Sequence, residues 1–124
     1  MSSNDRTRVE EVMSTPLETI DPDATVQDAA RKMRRHDISA LVVTTNTYSI
    51  VTSTDVLDAI ADGVDPETAS VDSIMTESVE TVTPNLFLEE VAAMMTTFGI
   101  KHLPVVEDDY VGMISSTDLA AQLS

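Results

Sequence analysis

The sequence predicts a mixed α/β fold in which two tandem β-α-β-β-α repeats pack about a pseudo-twofold axis. Three observations support this fold. An internal repeat covers almost the whole chain, helical and β-type apolar patterns follow in the same order in both copies, and a Ser/Thr-x-x-Asp string ends the strands of each copy. With 124 residues the chain can bury a core of its own, and it contains no cysteine for disulfides or thiolate metal sites.

The internal repeat is a tandem duplication. A spacing of 62 residues relates Val9 to Val71 and is kept as far as Val43 and Val105, after which one additional residue in the second turn aligns Asp55 with Asp118. Chance does not keep one register over that length. Because neither copy can cover its apolar sheet face alone, we expect one compact module. Its predicted parts are an N-terminal tail (1–8), repeat 1 (9–61), a linker (62–70) and repeat 2 (71–124).

Each repeat shows the same succession of predicted elements. A short helical turn and a short extended segment precede an amphipathic helix with apolar residues at i, i+3, i+4 and i+7. Two β-type runs joined by a polar turn follow, and a second helix ends the repeat. In repeat order these elements are the turns 9–13 and 71–75, the extended segments 18–20 and 80–82, the helices from 26 and 88, the strands 40–43, 48–51, 103–106 and 110–114, and the helices 56–60 and 119–123. Residues 23–25 and Asn85 are the expected starts of the first helices.

A Ser/Thr-x-x-Asp string precedes each second helix. Thr52 and Ser115 stand where a helix N-cap accepts a hydrogen bond from an unpaired backbone N–H. Asp55 and Asp118 stand in the first turn, at the positive end of the helix dipole. One such string predicts only a helix start, but two at matching positions of a repeat are candidates for a further role.

The acidic composition excludes several partners. The net charge is −15, from 22 acidic and 7 basic residues, and such a surface repels nucleic acids and anionic membranes. The chain begins with polar residues and has no apolar run near the ~20 residues of a membrane helix, so we expect a soluble, cytoplasmic protein. We hypothesise a high-salt cytoplasm, where screening removes the self-repulsion; an acidic protein of an ordinary cell is the alternative.

Four of the seven basic residues lie together at Arg31, Lys32, Arg34 and Arg35, beside His36. Positive side chains suit the C-terminal end of a helix and can pair with acidic neighbours. Alternatively, this cluster contacts ligand phosphates or the acidic face of a partner. The sequence leaves both interpretations open.

The sequence resembles the CBS (cystathionine β-synthase) domain family in four successive strings. In repeat 2 these are Val-x-x-Ile-Met-Thr at 71–76, Thr-Val-x-Pro at 81–84, Ile-x-His-Leu-Pro-Val-Val at 100–106 and Gly-Met-Ile-Ser-x-x-Asp at 112–118. Repeat 1 matches more weakly, through Val-Met-Ser, Thr-Ile-x-Pro, Ile-x-Ala-Leu-Val-Val and Ile-Val-Thr-x-x-Asp. Four strings in order, present twice between Val9 and Leu123, look like a stand-alone CBS pair, or Bateman module.

This resemblance implies two symmetry-related clefts that bind an adenosine-containing ligand (AMP, ADP, ATP or S-adenosylmethionine) and association as a homodimer. In the family motif G-h-x-[ST]-x-x-[ND], the acidic residue binds the ribose hydroxyls and the Ser/Thr lies near the ribose or phosphate. Asp118 and Asp55 match the acidic position, and Ser115 and Thr52 match the hydroxyl position. The chemistry agrees, because a carboxylate can accept from a diol and helix-start N–H groups suit phosphate oxygens.

The two copies differ, and the second is the favoured site. Gly112, where repeat 1 has Ser49, allows close approach of backbone or ligand. Lys101 and His102 could meet a phosphate, or could form only a solvated strand start.

Apolar residues complete each predicted cleft. Ile20 or Val82, with Ile38 or Ile100, could sandwich an adenine, although core packing explains each of them singly. The favoured set is Asp118, Ser115, Thr117, Gly112, Val82, Ile100, Lys101, His102 and Pro104. The second set is Asp55, Thr52, Thr54, Ile20, Ile38, Ser39 and Ala40.

The sequence predicts a regulatory protein with no catalytic residue, no metal and no required cofactor. It contains no Walker loop, G-x-G-x-x-G or HExxH string, and His36 and His102 lack the spacing of zinc ligands. The leading hypothesis is a nucleotide sensor that signals to a separate, unknown effector protein. The alternative is a structural or dimerisation module whose clefts stay empty, and a small nucleotide hydrolase ranks third.

Overall fold

The structure, a computed structural model, describes residues 6–15 and 17–123. For Leu123 it describes the backbone only. It confirms the mixed α/β prediction. In chain order the elements are a 3₁₀ turn (Val9–Glu11), β1 (Thr19–Ile20), α1 (Val26–His36), β2 (Ala40–Thr44), β3 (Tyr48–Thr52), α2 (Ser53–Ala61), a second 3₁₀ turn (Val71–Ser73), α3 (Leu88–Phe98), β4 (His102–Glu107), β5 (Asp109–Ser115) and α4 (Ser116–Leu123).

The described residues form two compact units that are offset from the sequence repeats. The first-repeat unit comprises residues 18–79, and the second-repeat unit comprises the described residues up to 17 together with those from 80 onwards. Each unit thus contains one repeat's sheet and helices, plus the short segment that precedes the other repeat's first extended piece. We call these segments the N-terminal arm (6–15) and the central arm (68–77).

The first-repeat unit contains a three-stranded sheet with β2 in the centre. β1 runs parallel to β2 and places Ile20 opposite Val43, while β3 runs antiparallel to β2. Four of the five residues of β2 are buried, as a continuous apolar run at the centre of a sheet predicts. The apolar positions of α1, among them Val26 and Met33, pack with Leu41 in the core of this unit.

The second-repeat unit contains the antiparallel pair β4 and β5, with an irregularity in the register between Val105 and Val106. Within the predicted extended segment 80–82, the structure shows a single β-bridge, in which Val82 pairs in parallel with Val105 beside this irregularity. The Val82 N–H donates to the Pro104 carbonyl (3.0 Å), and the Val82 carbonyl accepts from the Val106 N–H (2.8 Å). Leu88 and other apolar residues of α3 cover this sheet and form the core of the unit.

The N-terminal arm completes the second-repeat unit through backbone hydrogen bonds. The Val9 N–H donates to the Leu86 carbonyl (2.9 Å), which fixes the 3₁₀ turn against the loop that leads into α3. Ser14 exchanges two backbone bonds with Met113 (2.8 and 3.2 Å), as an antiparallel bridge on β5. The arm therefore supplies one strand residue to an edge that would otherwise expose unpaired backbone groups.

The central arm repeats these contacts in the first-repeat unit. The Val71 N–H donates to the Ala24 carbonyl (2.8 Å), and Thr76 exchanges two backbone bonds with Ile50 of β3 (2.8 and 3.0 Å). Val9 and Val71 are both fully buried. The duplication therefore extends to the docking of the arms.

The first helices of the two repeats start differently. At α1 the Thr25 Oγ1 accepts from the Asp28 N–H (3.0 Å), and the Asp28 carboxylate accepts from the Thr25 N–H (3.2 Å), in a capping box at the predicted place. The expectation that Asn85 starts α3 is wrong. The N-cap residue is Phe87, whose N–H is satisfied by the Glu90 carboxylate (3.0 Å) three residues further on.

Candidate functional site

The start of α2 lies directly after β3 and holds a reciprocal cap. The Thr52 Oγ1 accepts from the Asp55 N–H (3.1 Å), and the Asp55 Oδ2 accepts from the Thr52 N–H (2.9 Å). Both residues are half-buried, whereas Thr54 between them is exposed. The carboxylate is therefore held on the helix start through Oδ2, while its Oδ1 lies outside the capping box.

The start of α4 repeats this arrangement with one additional bond. The Asp118 Oδ2 accepts from the Ser115 N–H (2.9 Å) and also from the Ser115 hydroxyl (3.0 Å), which in turn accepts from the Asp118 N–H (3.2 Å). Within the described residues, the Thr52 hydroxyl makes no corresponding bond to Asp55. Ser115 and Asp118 are half-buried and Thr117 is exposed, as in the first repeat. The second cap thus holds its carboxylate more firmly.

The backbone brings the neighbouring predicted residues to the same two helix starts. The Ser53 N–H donates to the Ser39 carbonyl (2.9 Å), and the Ser116 N–H donates to the Lys101 carbonyl (2.9 Å). In the strand pairs, Ala40 lies opposite Thr52 and His102 lies opposite Ser115. We call these groups the first junction (Ser39, Ala40 and 52–55) and the second junction (Lys101, His102 and 115–118).

The junctions differ in charge. Lys101 is exposed beside the N-terminus of α4, where Ser39 is exposed beside the N-terminus of α2. His102 is half-buried where the first junction has Ala40, which is 7% exposed. The second junction therefore combines a helix start with a cationic side chain, a favourable setting for an anion.

The apolar residues predicted to flank an adenine divide into two groups by burial. Ile20 and Val82 are 8% and 3% exposed and belong to the cores of their own units. Ile38 and Ile100 are half-buried and pack against the edges of those cores. Pro104 is also buried, and its carbonyl is engaged by Val82. Contact with an adenine remains a prediction for these positions, and Ile38 and Ile100 offer the most accessible surface.

Gly112 has a role in the packing of the N-terminal arm. A Cβ at this position would lie 2.8 Å from the Met13 Sδ and 3.0 Å from the Ser14 carbonyl oxygen. In the first repeat the equivalent Ser49 is fully buried, and its hydroxyl bonds to those of Thr45 (2.9 Å) and Thr47 (3.1 Å). The close approach expected at Gly112 is thus made by the arm, and contact with a ligand there stays a prediction.

The basic cluster of α1 separates into two groups. Lys32 donates to the Thr19 carbonyl (2.5 Å) and lies 3.9 Å from a Glu18 carboxylate oxygen, which is also 3.6 Å from His36. Arg31, Arg34 and Arg35 are exposed, and no ion pair joins any of them to another described residue. Pairing with acidic neighbours therefore explains Lys32 and His36 but not the three arginines.

Sequence reasoning missed a cluster on the N-terminal arm. The guanidinium groups of Arg6 and Arg8 lie 4.1 and 4.6 Å from the centroid of the Phe87 ring. Arg8 also donates to the Asn85 carbonyl (2.6 Å), and Arg6 lies 3.8 Å from a Glu89 carboxylate oxygen. Two arginines flanking an aromatic residue that is distant in sequence leave no local signal.

Other kinds of site find no support in the part of the chain that the structure describes. No group of three or more His, Asp or Glu side chains there could hold a metal ion. No helix in that part is both long enough and apolar enough to cross a bilayer.

A duplicated α/β unit with the same capped aspartate at both strand-to-helix junctions defines a tandem module built from one repeated domain. The family model of the CBS domain matches residues 9–62 and 71–124. The chain therefore belongs to the CBS-domain family and carries the domain as a pair, which confirms the resemblance seen in the motifs.

Known CBS-domain proteins are similar to this chain in sequence and in structure. The CBS domain-containing protein YhcV of Bacillus subtilis is 31% identical over 116 residues, which cover 90% of this chain and 82% of that protein. The CBS domain pair of protein MJ0100, solved in complex with 5′-methylthioadenosine and S-adenosyl-L-methionine, has a TM-score of 0.86 and 27% identity, covering 95% of this chain and 96% of that one. A hexameric CBS-CP12 protein from bloom-forming cyanobacteria has a TM-score of 0.87 and 33% identity, covering 94% of this chain and 67% of that one.

Proposed function

We propose that this protein is a regulatory module that binds an adenosine-containing nucleotide and signals to a separate effector protein. The observation that carries the proposal is the recurrence of one capped aspartate, Asp55 and Asp118, at matching strand-to-helix junctions. Both carboxylates are half-buried and are fixed by their own helix start. Such a group is preorganised to accept hydrogen bonds from a ribose diol.

The helix start supplies the second half of the recognition. The N-terminus of a helix favours anions through the helix dipole. This holds although the first and third N–H groups of α2 and of α4 are already bonded, to a strand carbonyl and to the cap hydroxyl. At the second junction Lys101 adds a positive charge beside α4, whereas the first junction has Ser39 at this place. We therefore assign nucleotides with phosphate groups to the second junction, which is the stronger of the two sites.

The ligand class is AMP, ADP, ATP or S-adenosylmethionine. The complex of the MJ0100 domain pair with two adenosine-containing ligands supports this class in a relative at 27% identity. Ile38 and Ile100, half-buried beside the junctions, supply apolar surface for the adenine ring. The proposed mechanism needs no catalytic step and no resident cofactor, because binding shifts an equilibrium between two states by its differential affinity for them.

We also propose that the protein acts as a homodimer or larger assembly in the cytoplasm. The hexameric state of the CBS-CP12 protein supports self-association of such pairs. Leu57 and Ile60 of α2 are 67% and 51% exposed, and large apolar side chains in this position are typical of protein contacts.

A panel of calorimetric titrations tests the proposed function. AMP, ATP, S-adenosylmethionine and adenosine are titrated into the protein in molar KCl, and nucleotide after incubation is checked for hydrolysis. The proposal predicts saturable heat with at least one adenosine compound and no product. Absence of heat with all of them would favour the alternative, a module that acts only through protein partners. The exposed basic residues of α1 and the exposed apolar residues of α2 support this alternative.

A further inference from the structure

The N-terminal arm is connected to its own unit differently from the central arm. The central arm follows a linker that is itself bonded to the first-repeat unit. The Val64 N–H donates to the Ala59 carbonyl (3.0 Å), and the Pro66 carbonyl accepts from the N–H of Gln27 (2.9 Å). The N-terminal arm is joined to the rest of the second-repeat unit only through residues 18–79, which form the other unit. Because closing contacts between distant segments costs more entropy than closing local ones, the N-terminal arm depends on its own contacts to stay in place.

A clamp of cation–π contacts attaches the N-terminal arm to the start of α3. The guanidinium groups of Arg6 and Arg8, both exposed, lie 4.1 and 4.6 Å from the centroid of the Phe87 ring. Contacts of this kind at an exposed site are weak singly, so the clamp holds the arm without making it part of the core. The matching positions of the central arm and its unit offer neither a cation nor a ring, because they are Thr68, Ser70 and Thr25.

The rest of the arm is attached mainly through its backbone. Of the described residues of the arm, only Val9 is buried. The Thr7 carbonyl accepts from the Leu88 N–H (3.0 Å), and Ser14 exchanges two bonds with Met113. A segment with one buried side chain and with backbone bonds at the edge of a sheet is typical of a part that opens while the remaining structure stays folded.

The C-terminal end of the arm pairs with β5 just before the second junction. Ser14 lies opposite Met113, two residues before Ser115. Ser115 in turn holds the Asp118 carboxylate through its N–H and its hydroxyl (2.9 and 3.0 Å). When the arm opens, Met113 loses both backbone bonds to Ser14, and this part of β5 becomes an unpaired strand edge. The geometry of the proposed ribose acceptor therefore depends on the closed arm.

We propose that the N-terminal arm is a strap that opens and closes on β5, and that a nucleotide bound at the second junction holds it closed. The inference rests on the proposed function and specifies how that site is regulated. A ligand that binds more tightly to the closed form shifts the strap towards closure by its differential affinity for the two forms. The release of the arm on loss of nucleotide is then the conformational change that an effector detects.

Native-state hydrogen exchange of backbone amides tests the strap. Without nucleotide, the amides of Val9 and Ser14 should exchange about tenfold or more faster than that of Met95, a buried residue inside α3 of the same unit. Saturating ATP should slow the exchange of Val9 and Ser14 about tenfold or more. It should slow the exchange of Val71 less, because Val71 belongs to the central arm and is bonded to Ala24 (2.8 Å) in the other unit.

A clamp variant provides a second readout. Phe87→Leu removes the ring but keeps an apolar side chain, and it should speed the exchange of the Val9 and Ser14 amides about tenfold without nucleotide. Phe98→Leu is the matched control, because it removes the other phenylalanine ring, which is half exposed at the end of α3 and outside the clamp. This control should leave the exchange of both amides unchanged. Circular dichroism establishes that both variants are folded.

Three results would overturn the strap. They are equal exchange of Val9 and Met95 without nucleotide, equal slowing of Val9 and Val71 by ATP, and unchanged arm exchange in the folded Phe87→Leu variant. Calorimetry under the same conditions separates this inference from the proposed function. ATP that binds without protecting the arm contradicts the strap alone, whereas absence of heat with ATP contradicts both the strap and the assignment of phosphate nucleotides to the second junction.

Discussion

Met13 lies against Gly112, so that the thioether sulfur of the N-terminal arm stands 2.8 Å from the place of a Cβ on β5. The arm is thereby seated on the strand that leads to Ser115 and Asp118 at the second junction. Since the central arm docks on β3 in the same way, each proposed ligand site follows a strand whose edge is completed by a distant segment.

Gly112→Ala is expected to lower the free energy of unfolding by about 1–3 kcal/mol, because the added methyl overlaps Met13 and the Ser14 carbonyl. Denaturant unfolding measures the loss. Met13→Ala in the Gly112→Ala background should recover part of it, as a double-mutant cycle detects. Equal stability of Gly112→Ala and the wild type would show that the arm does not lie as close to β5 as described.

Asp118→Ala is expected to lower the free energy of unfolding by about 1 kcal/mol, since it removes the acceptor for the Ser115 N–H and hydroxyl. Asp28→Ala should cost a similar amount, because Asp28 makes the same kind of cap with Thr25 at α1. Thermal denaturation of both variants measures how much each cap contributes to the free energy of unfolding. No loss in Asp118→Ala alongside a clear loss in Asp28→Ala would contradict the cap at the second junction.

Lys101→Ser gives the second junction the residue of the first and is expected to weaken ATP binding about threefold to tenfold. Adenosine, which has no phosphate, should bind to the variant and the wild type equally. Arg31→Ser is the matched control, because it removes one exposed positive charge outside both junctions. Equal losses of ATP affinity in the two variants would show that Lys101 acts only through the net charge of the protein and not through contact with the phosphates.

The net charge of −15 predicts that the melting temperature rises between low and molar KCl, since screening shortens the Debye length to about 3 Å at 1 M and removes self-repulsion. Scanning calorimetry across a KCl series measures the change, with sorbitol of equal osmolality as the control for water activity. Equal or higher stability at low salt would contradict the high-salt hypothesis.

The order of the elements was predictable from the sequence because the duplication contains the pattern of each element twice, so that each copy supports the assignment of the other. The apolar spacing from Val26 to Met33 recurs in α3, and both helices lie where this spacing predicts them. Capping at Thr52 and Ser115 was equally readable, since the cap and its partner lie three residues apart. Local patterns of this kind are decided by neighbouring residues.

Long-range relationships were not predictable in the same way. The turn at Val9 shows only local helical character, and nothing in its sequence indicates that it docks on the loop before α3. The start of α3 was misplaced because Glu90 satisfies the N–H of an apolar N-cap, so that no polar N-cap side chain marks the boundary. The sequence showed that the arginines of α1 form a basic cluster with Lys32. It did not show that Lys32 is paired with Glu18 while the arginines are not, because Glu18 is distant from α1 in the sequence.

The most direct measurement of the central claim is the calorimetric affinity of one adenine nucleotide for the wild type, Asp118→Ala, Asp55→Ala and Asp28→Ala. Removal of the proposed ribose acceptor at the second junction should weaken binding about tenfold or more, with a smaller effect at the first junction. Asp28→Ala, which loses an equivalent helix cap away from both junctions, should bind as the wild type does. Equal affinities of all four folded proteins would contradict nucleotide recognition by the capped aspartates.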